Sequence, residues 1–131
     1  LLALGWSEQL LAIEWHRIDL AAFWGTPSNA EHCILVCEAK GTGHGLQDVE
    51  KQAKRYVRTM HLDECQKILV TDGTRLYLYQ RDEKGWSNAP VGYLNVNLIR
   101  TDHIAPASTN AVDTIVALTP AGVTRPLLRT T

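Results

Sequence analysis

From Cys33 to Ala39 the chain reads Cys-Ile-Leu-Val-Cys-Glu-Ala, nearly continuous in apolar residues. A short run of that kind fits a strand covered on both faces and central in its sheet. Its C-terminal end carries charge, Glu38 and then Lys40, and an earlier apolar run, Ile18 to Trp24, is broken only by Asp19. Carboxylates and a lysine placed where buried strands end are costly to bury, so a chain that puts them there is expected to use them.

The rest of the pattern supplies the neighbours of that strand. Leu1 to Leu4 followed by Gly5 looks like the end of a helix with Gly beyond its C-terminus. Leu10, Leu11, Ile13 and Trp15 fit either a strand or a short helix, the strand from about Gln9 to Trp15 being preferred. His16 and Arg17 connect it to the Ile18–Trp24 strand, and Gly25 to Glu31 is a turn cluster. After the glycine-rich loop Gly41 to Gly45, a helix is expected from about Leu46 to Met60. Leu46, Val49, Ala53, Tyr56, Val57 and Met60 fall on its apolar side, and Lys51, Lys54, Arg55 and Arg58 on the other. Lys67 to Thr71 and Arg75 to Gln80, joined by Asp72-Gly73, read as a hairpin, followed by a polar turn from Arg81 to Gly85. A last strand is expected within Val91 to Ile99, and a short helix capped by Ser108 or Thr109 runs to Leu118, ended by Pro120. The sequence therefore predicts an α/β domain over residues 1–120, a central mixed β-sheet flanked by helices, with residues 121–131 as a tail or linker.

At 131 residues the chain holds one domain's worth of core, and its 45% hydrophobic and 21% charged content is that of an ordinary globular protein. A net charge of -1 excludes a uniformly basic coat, so contact with nucleic acid must come from a local cluster of Lys and Arg. The three cysteines are an odd number, and Cys33 and Cys37, four apart in a strand, are separated by about 13 Å at ~3.3 Å per residue, too far for a disulfide. A reducing cytosol is the expectation, and no apolar run reaches the ~18 residues of a membrane span. The five histidines show no metal-ligand spacing; His44, in the glycine-rich loop, is the one nearest the charged strand end. That loop precedes a helix but lacks the Lys-Ser/Thr ending of a P-loop.

The charged residues suit one kind of chemistry. Hydrolysing a phosphodiester needs stabilisation of charge on the phosphate, an activated water and a means of aligning them, and a divalent cation held by carboxylates supplies all three. Mg²⁺ commonly takes one or two carboxylates from the protein, the number Asp19 and Glu38 provide, with the Ala39 carbonyl as a further ligand. Lys40, two residues after Glu38, shares its face on a strand and can orient a water or stabilise phosphate charge. Gln52 and Tyr56, four apart on the helix, are neighbours at the edge of its apolar side. The Lys51, Lys54, Arg55 and Arg58 side offers four cations to a polyanion.

Asp in an apolar strand, Glu-Xaa-Lys at the end of the next, and Gln52-Ala53-Lys54-Arg55-Tyr56 on the following helix resemble the PD-(D/E)XK nuclease superfamily, most of all the N-terminal nuclease domain of type I restriction endonuclease R subunits. The likeness covers Arg17 to Tyr56 and is weaker through Ile68 to Gly73 and Tyr77 to Tyr79. It implies a restriction-endonuclease-like fold and a Mg²⁺-dependent DNA endonuclease, Mn²⁺ being an alternative cation. Asp19 and Glu38 would be metal ligands, Lys40 the catalytic lysine, and Gln52 and Tyr56 the supporting helix pair. It implies also a further acidic ligand, for which Glu14 and Glu8 both stand available, and a cytoplasmic role in defence against foreign DNA with other subunits of a restriction-modification assembly. Ile18 stands where the motif has its Pro, and the chain has no room for the motor of a complete R subunit. Two rivals remain open: a catalytically silent nucleic-acid-binding or assembly module that keeps the fold, and an RNA or repair nuclease built on the same site.

Overall fold

The structure is a computed structural model that describes residues 4–40, 46–95 and 111–123. Leu11–Trp15 (β1), Ile18–Phe23 (β2), Cys33–Ala39 (β3), Lys67–Thr71 (β4), Arg75–Asp82 (β5), Gly85–Trp86 (β6) and Gly92–Asn95 (β7) form one mixed sheet. The helices are Leu46–Thr59 (α1) and Ala111–Ala117 (α2), with short 3-10 turns at Glu8–Leu10 and Ala30–His32. β1 to β6 lie in chain order across the sheet, and β7 pairs with β5. β3 and β4 are parallel, in register from Leu35 opposite Lys67 to Ala39 opposite Thr71, and every other pairing is antiparallel. α1 makes the crossover that a parallel pair requires.

Cys33 through Glu38 are all buried, so β3 has no solvent face, as its unbroken apolar run predicts. On one side Val49, Ala53 and Val57 of α1 pack on Val36, Ile68, Val70 and Phe23. On the other, Trp6, Ala117, Leu118 and Val123 pack on Leu35, Cys37, Leu69 and Leu78. Each large aliphatic side chain so buried contributes about 1.5–3 kcal/mol. The second layer is fastened by Trp6, whose indole N–H donates to Leu118 O at 2.6 Å, and by Lys67, whose Nζ donates to Gly122 O at 2.9 Å and Ala117 O at 3.4 Å. α2 lies so close to β7 that a Cβ at Gly92 would stand 2.5 Å from Thr114 Oγ1. At the β4–β5 turn, Asp72 accepts the backbone N–H groups of Arg75 and Thr74, which hold its carboxyl down to about 2, while Gly73 takes φ 92°.

Several boundaries differ from the sequence reading. β1 starts at Leu11 because residues 8–10 form a 3-10 turn, and β2 stops at Phe23, where the register shifts and Trp24 swings out against the His32 ring. The polar stretch from Arg81 to Gly85 is a tight hairpin rather than a turn throughout, since Arg81 pairs with Trp86 and Asp82 with Gly85. Gly122 and Val123, expected in a tail, are buried. Residues 1–3, the loop 41–45 with His44, the strand end 96–99 and the helix cap at 108–109 lie outside the described residues. Cys33, Cys37 and Cys65 are free, buried thiols, and burial pushes Cys37 up to about 12.

Lys67 makes the fold sensitive to pH. Burial lowers its pKa from 10.5 to about 8, so between these values the unfolded chain holds more protons and the lysine's contribution to stability rises with pH. Ionisation of the buried thiols in the unfolded chain acts in the opposite sense, so the readout is a difference. Chemical denaturation from pH 7.5 to 10 should show wild type gaining stability relative to Lys67→Met as pH rises. A gap independent of pH would remove the buried charge from the account.

Candidate functional site

β2 runs antiparallel to β3, which brings the start of β2 to the C-terminal end of β3. Their ladder reaches Leu20 opposite Cys37. Beyond that pair a side chain takes over: Asp19 Oδ2 accepts the backbone N–H of Ala39 at 2.8 Å. On the other flank Lys40 N donates to Thr71 O at 3.0 Å and carries the β3–β4 pairing one residue further. The end of β3 is thus held from both sides, and Glu38 sits at that end on the face covered by α1, alternating with Val36.

Glu38 is only 2% exposed, and its Oε1 is buried without a hydrogen-bond partner. Its pKa is pushed up to about 7, first by burial and then by the charge and side-chain hydrogen bonding of Asp19 beside it, with the Asp19 backbone N–H and then Lys40 acting in the opposite direction. Two adjacent carboxylates, one buried with an oxygen that accepts no hydrogen bond, are unfavourable as they stand. A hard cation would relieve both the repulsion and the unmet acceptor, and the donor set of carboxylate oxygens with a neighbouring carbonyl is of the type Mg²⁺ or Mn²⁺ takes.

Glu14 stands across from Asp19 between the pairs Ile13–Leu20 and Trp15–Ile18, but its backbone is left-handed (φ 53°) and its side chain exposed. Glu8 is exposed on the 3-10 turn before β1. Among the described residues no three His, Cys, Asp or Glu come together as a metal-holding group, so the structure draws Asp19 and Glu38 together and leaves Glu14 and Glu8 outside that pair.

Gln52 and Tyr56 are half-buried and joined, Gln52 Nε2 donating to Tyr56 Oη at 2.8 Å. No hydrogen bond connects them to the carboxylates among the described residues. They face a groove of about 1020 Å³ that is lined also by Trp15, His16 and Arg17 and by Ser28 to Ala30. The turn that delivers Asp19 therefore also lines this groove. His16, like Glu14, has a left-handed backbone (φ 56°), so two strained residues precede the start of β2.

Of the four cations on α1, Lys51, Arg55 and Arg58 are exposed. Lys54 is not available: its Nζ pairs with Glu50 at 2.9 Å, donates to Ser87 O at 2.8 Å and lies 5.0 Å from the centre of the Tyr79 ring. Arg81 and Trp86, on the β5–β6 hairpin and not singled out from the sequence, line a groove together with these cations. The signal that could have found them was an Arg and a Trp flanking a two-residue Glu83-Lys84 turn. Compared with known proteins, the chain matches no family model, no curated protein and no solved structure.

The raised Glu38 pKa has a sign that can be checked. From about 4.5 to about 7 the folded state holds a proton that the unfolded state has lost, so stability falls as pH rises through this window. In chelator at pH 8, Glu38→Gln is expected to melt several degrees above wild type, and saturating Mg²⁺ should close that difference by stabilising wild type alone. A variant that melts lower than wild type in chelator would show Glu38 to be satisfied as it stands.

Proposed function

We propose that this protein is a Mg²⁺-dependent nuclease that hydrolyses DNA phosphodiester bonds, on a restriction-endonuclease-like fold, within a larger cytoplasmic assembly directed against foreign DNA. The observation that carries the reading is the Glu38 carboxylate, buried, unpartnered on Oε1 and set beside Asp19 at a strand end. The pairing of β2 with β3 supports it, since Asp19 lies across from the strand end that carries Glu38 and is followed by Lys40, and the helix that follows carries the bonded Gln52–Tyr56 pair. Among the described residues no helix is long and apolar enough to cross a membrane.

In this reading Asp19 and Glu38 hold the cation, with the Ala39 carbonyl as a further ligand. When bound, the cation supplies Lewis-acid charge to the phosphate and acidifies a water. The Asp19 hydrogen bond to Ala39 N–H keeps one carboxylate oxygen engaged and aims the other. Lys40 brings a positive charge to the attacking water or the phosphate oxygen, where charge develops as the bond to phosphorus forms. Tyr56 accepts a hydrogen bond from Gln52 and so has its own hydroxyl proton free for a substrate oxygen in the adjoining groove. The convergence of two acidic side chains rather than three among the described residues favours one other reading, a module that keeps the fold and binds nucleic acid without cutting it.

Calorimetric titration with Mg²⁺ and Mn²⁺, followed by plasmid nicking on the same samples, separates the two. Wild type is expected to bind the cation and Asp19→Ala and Glu38→Ala to lose it. Lys40→Ala should keep cation binding and lose about 10²-fold or more in cutting. A folded wild type that takes up no cation would move the protein to the silent module.

A further inference from the structure

A row of cations along a helix is ordinarily a solvated face. Here the row has an opposing wall. Lys51, Arg55 and Arg58 border a second groove, of about 670 Å³, whose other side is the β5–β6 hairpin with Arg81 and Trp86 and which His61, after α1, also lines. Arg81 is fixed: Nη2 donates to Leu62 O at 3.0 Å and Asp63 O at 2.7 Å, and its guanidinium lies 5.1 Å from the Trp86 ring centre. Lys51, Arg55 and Arg58 make no hydrogen bond or ion pair among the described residues. With Lys54 matched by Glu50, Asp63 is the one carboxylate among the described residues lining the groove, beside Lys51, Arg55, Arg58 and Arg81, on a chain whose net charge is -1.

We infer that this groove between α1 and the β5–β6 hairpin is a second nucleic-acid site, binding the sugar–phosphate backbone away from the carboxylate pair. One fixed guanidinium and three unpaired cations around a concavity suit phosphate oxygens spaced along a strand, and Arg offers them bidentate hydrogen bonds. The registers give its distance from the carboxylates. Glu38 is level with Val70 and hence Tyr77, and Arg81 lies four residues further along β5, two strands across. At ~3.3 Å per residue and ~4.8 Å per strand, the backbone positions are about 16 Å apart. That is about five nucleotide steps at 3.4 Å along each strand of a duplex. Binding in the groove stands by itself, whereas its use in holding a substrate five steps from the cut rests on the nuclease reading.

Anisotropy of a labelled 30-base-pair duplex, in chelator and from 50 to 200 mM salt, tests the site with the 131-residue chain. The double variant Lys51→Glu/Arg58→Glu is expected to bind at least tenfold more weakly and to lose about two from the slope of log affinity against log salt. Arg58→Ala, the milder change should the double variant misfold, should lose about one. In wild type the duplex should also change the tryptophan emission, and Trp86→Phe should remove that change. Unaltered affinity and slope in folded charge variants overturn the groove, whether or not the protein cuts DNA. Poly-glutamate bound as tightly as the duplex overturns its assignment to nucleic acid. Groove-dependent binding by a wild type that neither binds cation nor cuts supports the groove and overturns the nuclease reading alone.

Discussion

The hydrogen bond from Ala39 N–H to Asp19 Oδ2 joins two strands where their own ladder has run out. It replaces a backbone acceptor with a charged one, which makes it a stronger bond than the pairs before it. It also fixes the separation between Asp19 and the strand end that carries Glu38. The position of Glu38 is set from the other flank by the parallel register with β4, which in turn depends on α1 as the crossover. The pair of carboxylates is therefore held by the most buried elements of the fold, and little of its geometry is left to loops.

That burial makes the site electrostatically expensive. Val36 and Glu38 share a face, and the same α1 layer that shelters Val36 from water denies Glu38 its solvation. A neutral residue at this position would let the layer close without cost. The fold instead retains an acid with one oxygen unmet, next to a second acid. The penalty is local and is borne by packing elsewhere, on the Val49, Ala53 and Val57 side of α1 and under the Trp6 and Lys67 anchors of the opposite layer.

Elements whose apolar period is strong were legible from the residues alone. β3 and β4 have the bounds that their apolar runs suggested, and α1 ends one residue before the expected Met60. The charged strand end was legible because Asp19 and Glu38 interrupt otherwise apolar runs. What stayed hidden depends on partners far away in sequence. Lys54 looked like one cation among four, and only the fold shows Glu50, Ser87 and Tyr79 gathered about it. Lys67 looked like a strand's polar first residue, and its acceptors lie 50 and 55 residues on. Arg81 and Trp86 sat in a stretch too polar to suggest pairing, because a two-residue strand leaves almost no periodic signal. The left-handed turn of Glu14 had no signal, since neither Gly nor Asn marks it.

That backbone at Glu14 bears on more than the carboxylates. β1 is the outermost strand on its side of the sheet, and Ile13 on it is 80% exposed. A straight apolar strand in that place would offer another chain a row of open N–H and C=O groups on which to template a new strand. The left-handed residues at positions 14 and 16 bend the row after three regular pairs, from Leu11–Ala22 to Ile13–Leu20. The same local distortion that sets a left-handed backbone across from Asp19 thus shortens the stretch of edge available for unwanted self-association.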